Sequence, residues 1–312
     1  MMRIFSTVNG RTEQISHPER GSWVNLTKPT DAELAEVADK CKIDLADLRA
    51  PLDDEERSRV DVEETYTMVI VDIPTVEERG GRDWYETIPL SIIVTDELIV
   101  TVCMEDTLLL HPFMDGTIRG FNTFMRSRFI LQVLYRNASL YLRYLRIIDR
   151  ESDKLENRLQ HSTANREILL LMELSKSLVY FTTSLKSNEV VLEKLTNLQR
   201  FRYYEDDADL LEDVITENKQ AIEMASIYQS VLQGMTEAFG TIVSNNVNNV
   251  MKIFTIISLV MAIPTMIFSL YGMNFVDMPL TSSPWGFWIA IALSVFLSVL
   301  AAWIFTRSNR FK

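Results

Sequence analysis

Cysteine and histidine are scarce in this chain, with two and three residues among 312. Cys41 and Cys103 lie far apart, and His17, His111 and His161 show no ligand spacing. A structural zinc site needs clustered Cys and His, so none is expected, and the two cysteines read as reduced thiols. Basic charge is also in deficit, with a net charge of −12. Without a basic stripe, no nucleic-acid partner is expected; the balance favours cations instead. The chain has no phosphate-cradling glycine loop, no nucleophile elbow and no His-Glu-x-x-His, so a membrane-anchored enzyme finds no motif here. The start, Met1 to Asn9, is short and mixed and is soon followed by Arg11, Glu13 and Glu19, unlike a secretory signal.

Charge is missing altogether from two apolar runs, Ile253 to Tyr271 and Trp285 to Phe305. Each is roughly twenty residues long, enough for a helix to cross the hydrocarbon of a bilayer at 1.5 Å per residue. A buried hairpin in a soluble core is the alternative, but core helices seldom stay uncharged over such a length. The link, 272–284, holds Gly272, Pro279, Ser282, Ser283 and Pro284 and reads as a short extracytoplasmic loop. Lys252 precedes the first run and Arg307, Arg310 and Lys312 follow the second, while the link has no Lys or Arg. Both termini are therefore expected in the cytoplasm of a multi-pass protein of the cell membrane.

The fold class expected is an α/β N-terminal domain, then long helices, then two C-terminal membrane helices. Residues 1–115 mix strand-like pieces (Met2 to Val8, Trp23 to Leu26, Tyr66 to Ile73, Thr87 to Thr95, Leu98 to Cys103) with a helix opened by Thr30. Asp96-Glu97 joins the last two strands as a hairpin. Residues 116–206 have no proline and show heptad-like apolar spacing, which predicts helices near Thr117 to Gln160 and Arg166 to Tyr203, with Ser162, Thr163 and Asn165 as caps between them. The acidic run Glu205 to Asp209 suits a helix N-terminus and otherwise reads as solvated surface. From there one helix, 207–271, runs without a stop into the first span, 253–271; the second span is 285–305 and the tail 306–312 is basic.

Asn248, Met251, Thr255, Ser258, Ala262, Thr265 and Ser269 recur every three or four residues and so share one face of that helix. The face is small or polar, flanked by Ile253, Phe254, Ile257, Leu259, Ile263 and Ile267. In lipid such a stripe must meet protein or water. Close packing of helices is one reading. A pore is the other, favoured because the stripe leads into Gly272-Met273-Asn274, whose carbonyls and amide suit a hydrated cation. Two helices enclose no water path, so the pore reading requires a homo-oligomer.

Tyr271-Gly272-Met273-Asn274-Phe275 between two C-terminal spans resembles the GMN signature of the CorA family of divalent-cation channels, and Asn248-Asn249-Val250-Met251-Lys252 resembles that family's pore entrance. The resemblance implies a funnel-shaped homopentamer in the lipid bilayer that carries magnesium and is gated by cytoplasmic magnesium. It implies that Asn274 holds the hydrated ion at the outer mouth, with Gly272 and Met273 shaping the ring, and that Asn248, Met251 and Thr255 line the cytoplasmic side. Asp213 falls where the family places a carboxylate of a regulatory magnesium site between subunits, with Asp53 or Asp54 as its partner. The outer loop, Phe275 to Leu280, lacks the glutamates common after the motif in magnesium members and leaves Asp277 alone. Relatives that carry Zn2+, Co2+ or Ni2+, with or without proton coupling, share the tripeptide, so a transition-metal transporter is the alternative.

Overall fold

The structure is a computed structural model that describes residues 1–8, 10–161, 165–198, 205–273, 279 and 284–307. These form two compact units, 1–236 and 237–312, each treated separately below.

The first unit is built on seven strands: β1 (Met2–Val8), β2 (Arg11–Ile15), β3 (Trp23–Thr27), β4 (Arg59–Val62), β5 (Tyr66–Glu78), β6 (Asp83–Thr95) and β7 (Ile99–Cys103). They form one sheet in the order β2-β1-β3-β7-β6-β5-β4. Every neighbouring pair is antiparallel except β3 and β7, which run parallel. Period-two alternation divides the side chains between two cores. Met68 and Ile70 face helices α1 (Asp31–Cys41) and α2 (Leu45–Arg49), together with Leu34, Val37 and Leu48. Val69, Val71 and Ile73 face the opposite side, with Phe129 and Leu134 of α4 (Arg126–His161), Val191 and Leu195 of α5 (Asn165–Asn197) and Val214 of α6 (Glu205–Tyr271). Residues 1–115 and 116–206, different in secondary structure, thus share one body.

Several local expectations hold. Thr30 caps α1 in a reciprocal box with Glu33: the Glu33 N–H donates to Thr30 Oγ1 at 3.3 Å, and the Thr30 N–H donates to Glu33 Oε2 at 2.8 Å. The bond from the Thr30 N–H foremost, with the N-terminal ammonium and the Thr30 hydroxyl beside it, holds the Glu33 carboxyl below its ordinary range. The β6–β7 turn falls at Asp96-Glu97, tied by Thr95 N–H to Leu98 O at 3.0 Å. Cys41 and Cys103 are both free; burial pushes the Cys103 thiol up to about 11 and raises that of Cys41, so neither forms a thiolate at neutral pH.

Others are corrected. The helix expected from Thr117 starts at Arg126. Before it, Gly116 and Gly120 take positive φ, and Thr123 is pinned to β1 by exchanging backbone-to-hydroxyl bonds with Thr7 at 3.1 and 3.0 Å. Helix α5 ends at Asn197; Tyr203, Ser162 and Thr163 lie outside the described residues. The acidic run is not simply a solvated surface. Asp207 is fully buried and pairs with Arg128 Nε at 3.1 Å, fixing α6 on α4. Strands β5 and β6 are 13 residues each, longer than expected, because the hairpin continues through Pro74 to its Gly80-Gly81 tip.

The open end of β4 shows how the helices fasten the sheet. Strand β4 pairs only as far as Arg59 with Ile70, so the backbone groups of Asp72 have no strand partner on that side. Asn188 of α5, itself buried, replaces one: Asp72 N–H donates to its Oδ1 at 2.9 Å, and its Nδ2 donates to Asp72 O at 2.8 Å. Asn137 Nδ2 and Tyr141 OH of α4 donate to the same carbonyl at 2.9 and 3.2 Å. The side-chain amide therefore stands in for a neighbouring peptide, satisfying groups that are costly to leave buried and unpaired. Asn188→Leu is expected to destabilise the folded unit by about 3 kcal/mol in denaturant unfolding, for three lost bonds at roughly 1 kcal/mol each, the third donated by Ser58 Oγ to Asn188 Oδ1 at 3.2 Å; a change within about 0.5 kcal/mol would show the bonds to be dispensable.

Candidate ion pathway

Among the described residues, three helices have the length and composition to cross a membrane: α5, the C-terminal part of α6, and α7 (Gly286–Arg307). Burial separates them. Within its most apolar segment α5 is 39% buried, against none for α6 and 6% for α7. Helix α5 is a core helix of the first unit; the other two present many apolar side chains that nothing among the described residues covers. Phe254, Met261 and Met266 on α6 and Phe296 and Val299 on α7 are all more than half exposed. Trp285, Phe287 and Trp288 stand at one end of α7, and Trp303, over which Arg307 stacks at 4.9 Å, at the other. Aromatic girdles at two levels are what the two faces of a bilayer select.

Helix α6 continues unbroken from Glu205 to Tyr271, as its sequence predicts. In its spanning part, Lys252, Ile256, Val260, Ile263, Pro264, Ile267 and Tyr271 are partly covered, and all other positions from 251 to 270 are exposed. The covered positions recur every three or four residues, so they form one face. Opposite them, α7 offers Gly286, Ala290, Ser294 and Ser298 at intervals of four, the first three buried and Ser298 partly so. Ser298 Oγ donates to Val260 O at 3.5 Å and registers the two helices. A row of small residues on one partner is a feature that lets membrane helices approach one another.

The polar stripe is elsewhere. At 100° per residue, the mean direction of Asn248, Met251, Thr255, Ser258, Ala262, Thr265 and Ser269 lies about 150° from that of the covered face. All seven are exposed, Met251 to 59%. The stripe is therefore not what packs the chain's own two spans together. Its threonines are internally satisfied: Thr255 Oγ1 donates to Met251 O at 2.8 Å and Thr265 Oγ1 to Met261 O at 2.9 Å, leaving hydroxyl lone pairs directed off the helix. At the end of the stripe the helix tightens, with Gly272 N–H shared between Phe268 O and Ser269 O at 3.0 and 3.2 Å and Met273 N–H bonded to Leu270 O at 3.3 Å. A Cβ on Gly272 would meet nothing closer than 3.4 Å, so no contact among the described residues requires glycine there. Asn274 and Asp277 lie outside the described residues.

The three carboxylates expected at a regulatory site are exposed on the first unit: Asp213 on α6, Asp53 and Asp54 after the short turn that follows α2. Asp53 Oδ1 accepts from the Glu55 N–H at 3.1 Å. Among the described residues, no group of three or more His, Cys, Asp or Glu side chains is placed to hold a metal ion within one chain.

A family model described as CorA-like Mg2+ transporter protein matches residues 19–307. The chain belongs to this CorA-like family. It is 30% identical over 310 residues to the cobalt/magnesium transport protein CorA of Methanocaldococcus jannaschii, covering 97% of this chain and 96% of that one. The corresponding CorA protein of Thermotoga maritima is 23% identical over 301 residues, covering 92% and 83%. The complete structure of the CorA magnesium transporter from M. jannaschii superposes with a TM-score of 0.86 at 26% identity, over 99% of this chain and 98% of that one. CorA proteins are membrane transporters, in keeping with a chain that carries two uncovered apolar helices.

The face assignment is open to chemical labelling. Cysteines introduced singly at Met251, Thr255, Ser258, Ala262 and Thr265 are expected to react with a small water-soluble thiol reagent in membranes, and those at Ile256, Val260, Phe254 and Ile257 are expected to stay silent. Uniform labelling, or a silent stripe in a conducting protein, would assign the stripe to packing.

Proposed function

We propose that this chain carries magnesium across the cell membrane as a homopentameric channel. The observation that carries the reading is the uncovered polar stripe, turned away from α7 and running into Gly272-Met273-Asn274. With the small-residue row of α7 set against the other face of α6, the stripe is left to face other copies around an axis, where water fills the centre. Asn248, Met251, Thr255, Ser258, Ala262 and Thr265 line the path; Asn274, with the carbonyls of Gly272 and Met273, holds the hydrated ion at its outer mouth. Five copies, with both termini cytoplasmic, is the arrangement that the family resemblance and the basic flanks support.

The ligand chemistry supports a hard ion. Amide, hydroxyl and carbonyl oxygens suit magnesium, which keeps much of its water, and the stripe has no thiolate or imidazole to select zinc or nickel. Cobalt is named with magnesium for the relatives in M. jannaschii and T. maritima.

Cytoplasmic magnesium is the regulator in this reading, bridging Asp213 of one subunit to Asp53 or Asp54 of the next. An ion there offsets repulsion between carboxylates and stabilises the closed assembly by RT ln(1 + [L]/Kd) per site. Near Kd this is about 0.4 kcal/mol per site, or roughly 2 kcal/mol over five sites, enough to shift a balanced gate.

Reconstituted vesicles test both parts. Uptake should favour magnesium and cobalt over zinc and nickel, be independent of a pH gradient, and fall at least roughly tenfold in Asn274→Ala with assembly unchanged, a loss of about 1.4 kcal/mol or more. Near-normal uptake by that variant overturns the filter, and zinc-selective or proton-driven uptake overturns magnesium. Asp213→Asn should weaken inhibition by magnesium on the cytoplasmic side; unchanged inhibition makes Asp213 an ordinary surface carboxylate.

A further inference from the structure

The first span contains a proline, Pro264, in the middle of α6. Proline has no N–H, so the carbonyl four residues earlier, that of Val260, loses its α-helical donor. In an aqueous helix water would fill the gap. In hydrocarbon it does not, and such prolines persist where a neighbouring side chain supplies the bond. The side chain that reaches this carbonyl is Ser298 of α7, whose Oγ lies 3.5 Å from Val260 O. The next carbonyl, Met261 O, is bonded by Thr265 Oγ1 at 2.9 Å. Ser298 also continues the row Gly286, Ala290, Ser294, so its hydroxyl is set on the packed face of α7 and not toward lipid.

A missing rung is where a helix bends or swivels. Below this rung the stripe consists of Asn248 to Ala262; above it come Thr265, Ser269 and the turn at Gly272. Those two segments form one continuous polar face only if their rotation is fixed across the gap. We propose that Ser298 is a positioning residue for the ion pathway: its bond to the carbonyl left free by Pro264 holds the upper segment of the pore helix in phase with the lower one. The role rests on the stripe being the pathway. Ser298 itself is on the far side of the helix and touches no ion.

A mutant cycle in vesicles separates this from packing. Ser298→Ala is expected to lower magnesium uptake about threefold, the average scale of a single interhelical bond in a membrane protein. In the same background, labelling of Thr265→Cys should fall while labelling of Ser258→Cys stays as it is. Ser298→Thr, which keeps the hydroxyl, should restore both. Pro264→Ala returns an N–H to Val260 O, so adding Ser298→Ala to it should change neither uptake nor labelling. Equal losses from Ser298→Ala with Pro264 and with Pro264→Ala would show that Ser298 acts by packing and overturn the proposal. So would unchanged labelling of Thr265→Cys. If Ser258→Cys and Thr265→Cys are silent even with Ser298 in place, the stripe is not the pathway and the role of Ser298 falls with it. Labelled Ser258→Cys with an indifferent Thr265→Cys overturns the role of Ser298 alone.

Discussion

Every polar group in hydrocarbon has to be satisfied by protein or by enclosed water. Most of what the second unit shows follows from that constraint. Thr255 and Thr265 bond back to their own helix, Ser298 reaches the carbonyl that Pro264 leaves open, and Gly272 N–H divides itself between two carbonyls as the helix ends. Among the described residues of α6, the polar face left without a covering surface is the stripe from Asn248 to Ser269. A single copy has no interior to receive it. In the proposed channel, the requirement for further copies comes from the position of the polar face relative to α7 and not from the tripeptide alone.

The first unit solves a related problem in water. A sheet whose edge strand stops early leaves backbone groups open beside the helix layer, and Asn188, Asn137 and Tyr141 converge on the backbone N–H and C=O of Asp72 to close it. The start of α6 is held to the same helix layer by a buried ion pair, Asp207 with Arg128, and by Val214, Ala221, Ala225 and Leu232 at heptad-like intervals. Removing one partner of such a pair strands a buried charge, so the base of α6 is specified by geometry as much as by apolar area. The exposed Asp213, one residue before Val214, is by contrast free to meet solvent or a neighbour.

How much of this was legible in the sequence depended on whether the signal was local. The two uncharged runs, the Thr30 capping box, the Asp96-Glu97 hairpin and the uninterrupted α6 all follow from patterns contained within one element. Strands β2 and β4 were missed because they are short and polar, and α2 because five residues carry little periodicity. The turns at residues 117–125 read as helix in the sequence because nothing local reveals that Thr123 bonds to Thr7. Asp207 looked like one solvated acid among several, and only the fold places Arg128 against it. At the candidate site the stripe was visible from its three-and-four spacing, whereas the packing row on α7 was hidden among apolar neighbours. Pro264 was visible as a residue, but its consequence depends on Ser298, thirty-four positions away in sequence.

The central claim is that the stripe closes around an axis shared by copies of this chain, and the number of copies tests it most directly. Native mass spectrometry of the full-length protein released from lipid nanodiscs should show a single assembly of five 36.0 kDa chains, near 180 kDa. A monomer or a dimer would contradict it, since neither encloses a water path with one stripe per chain.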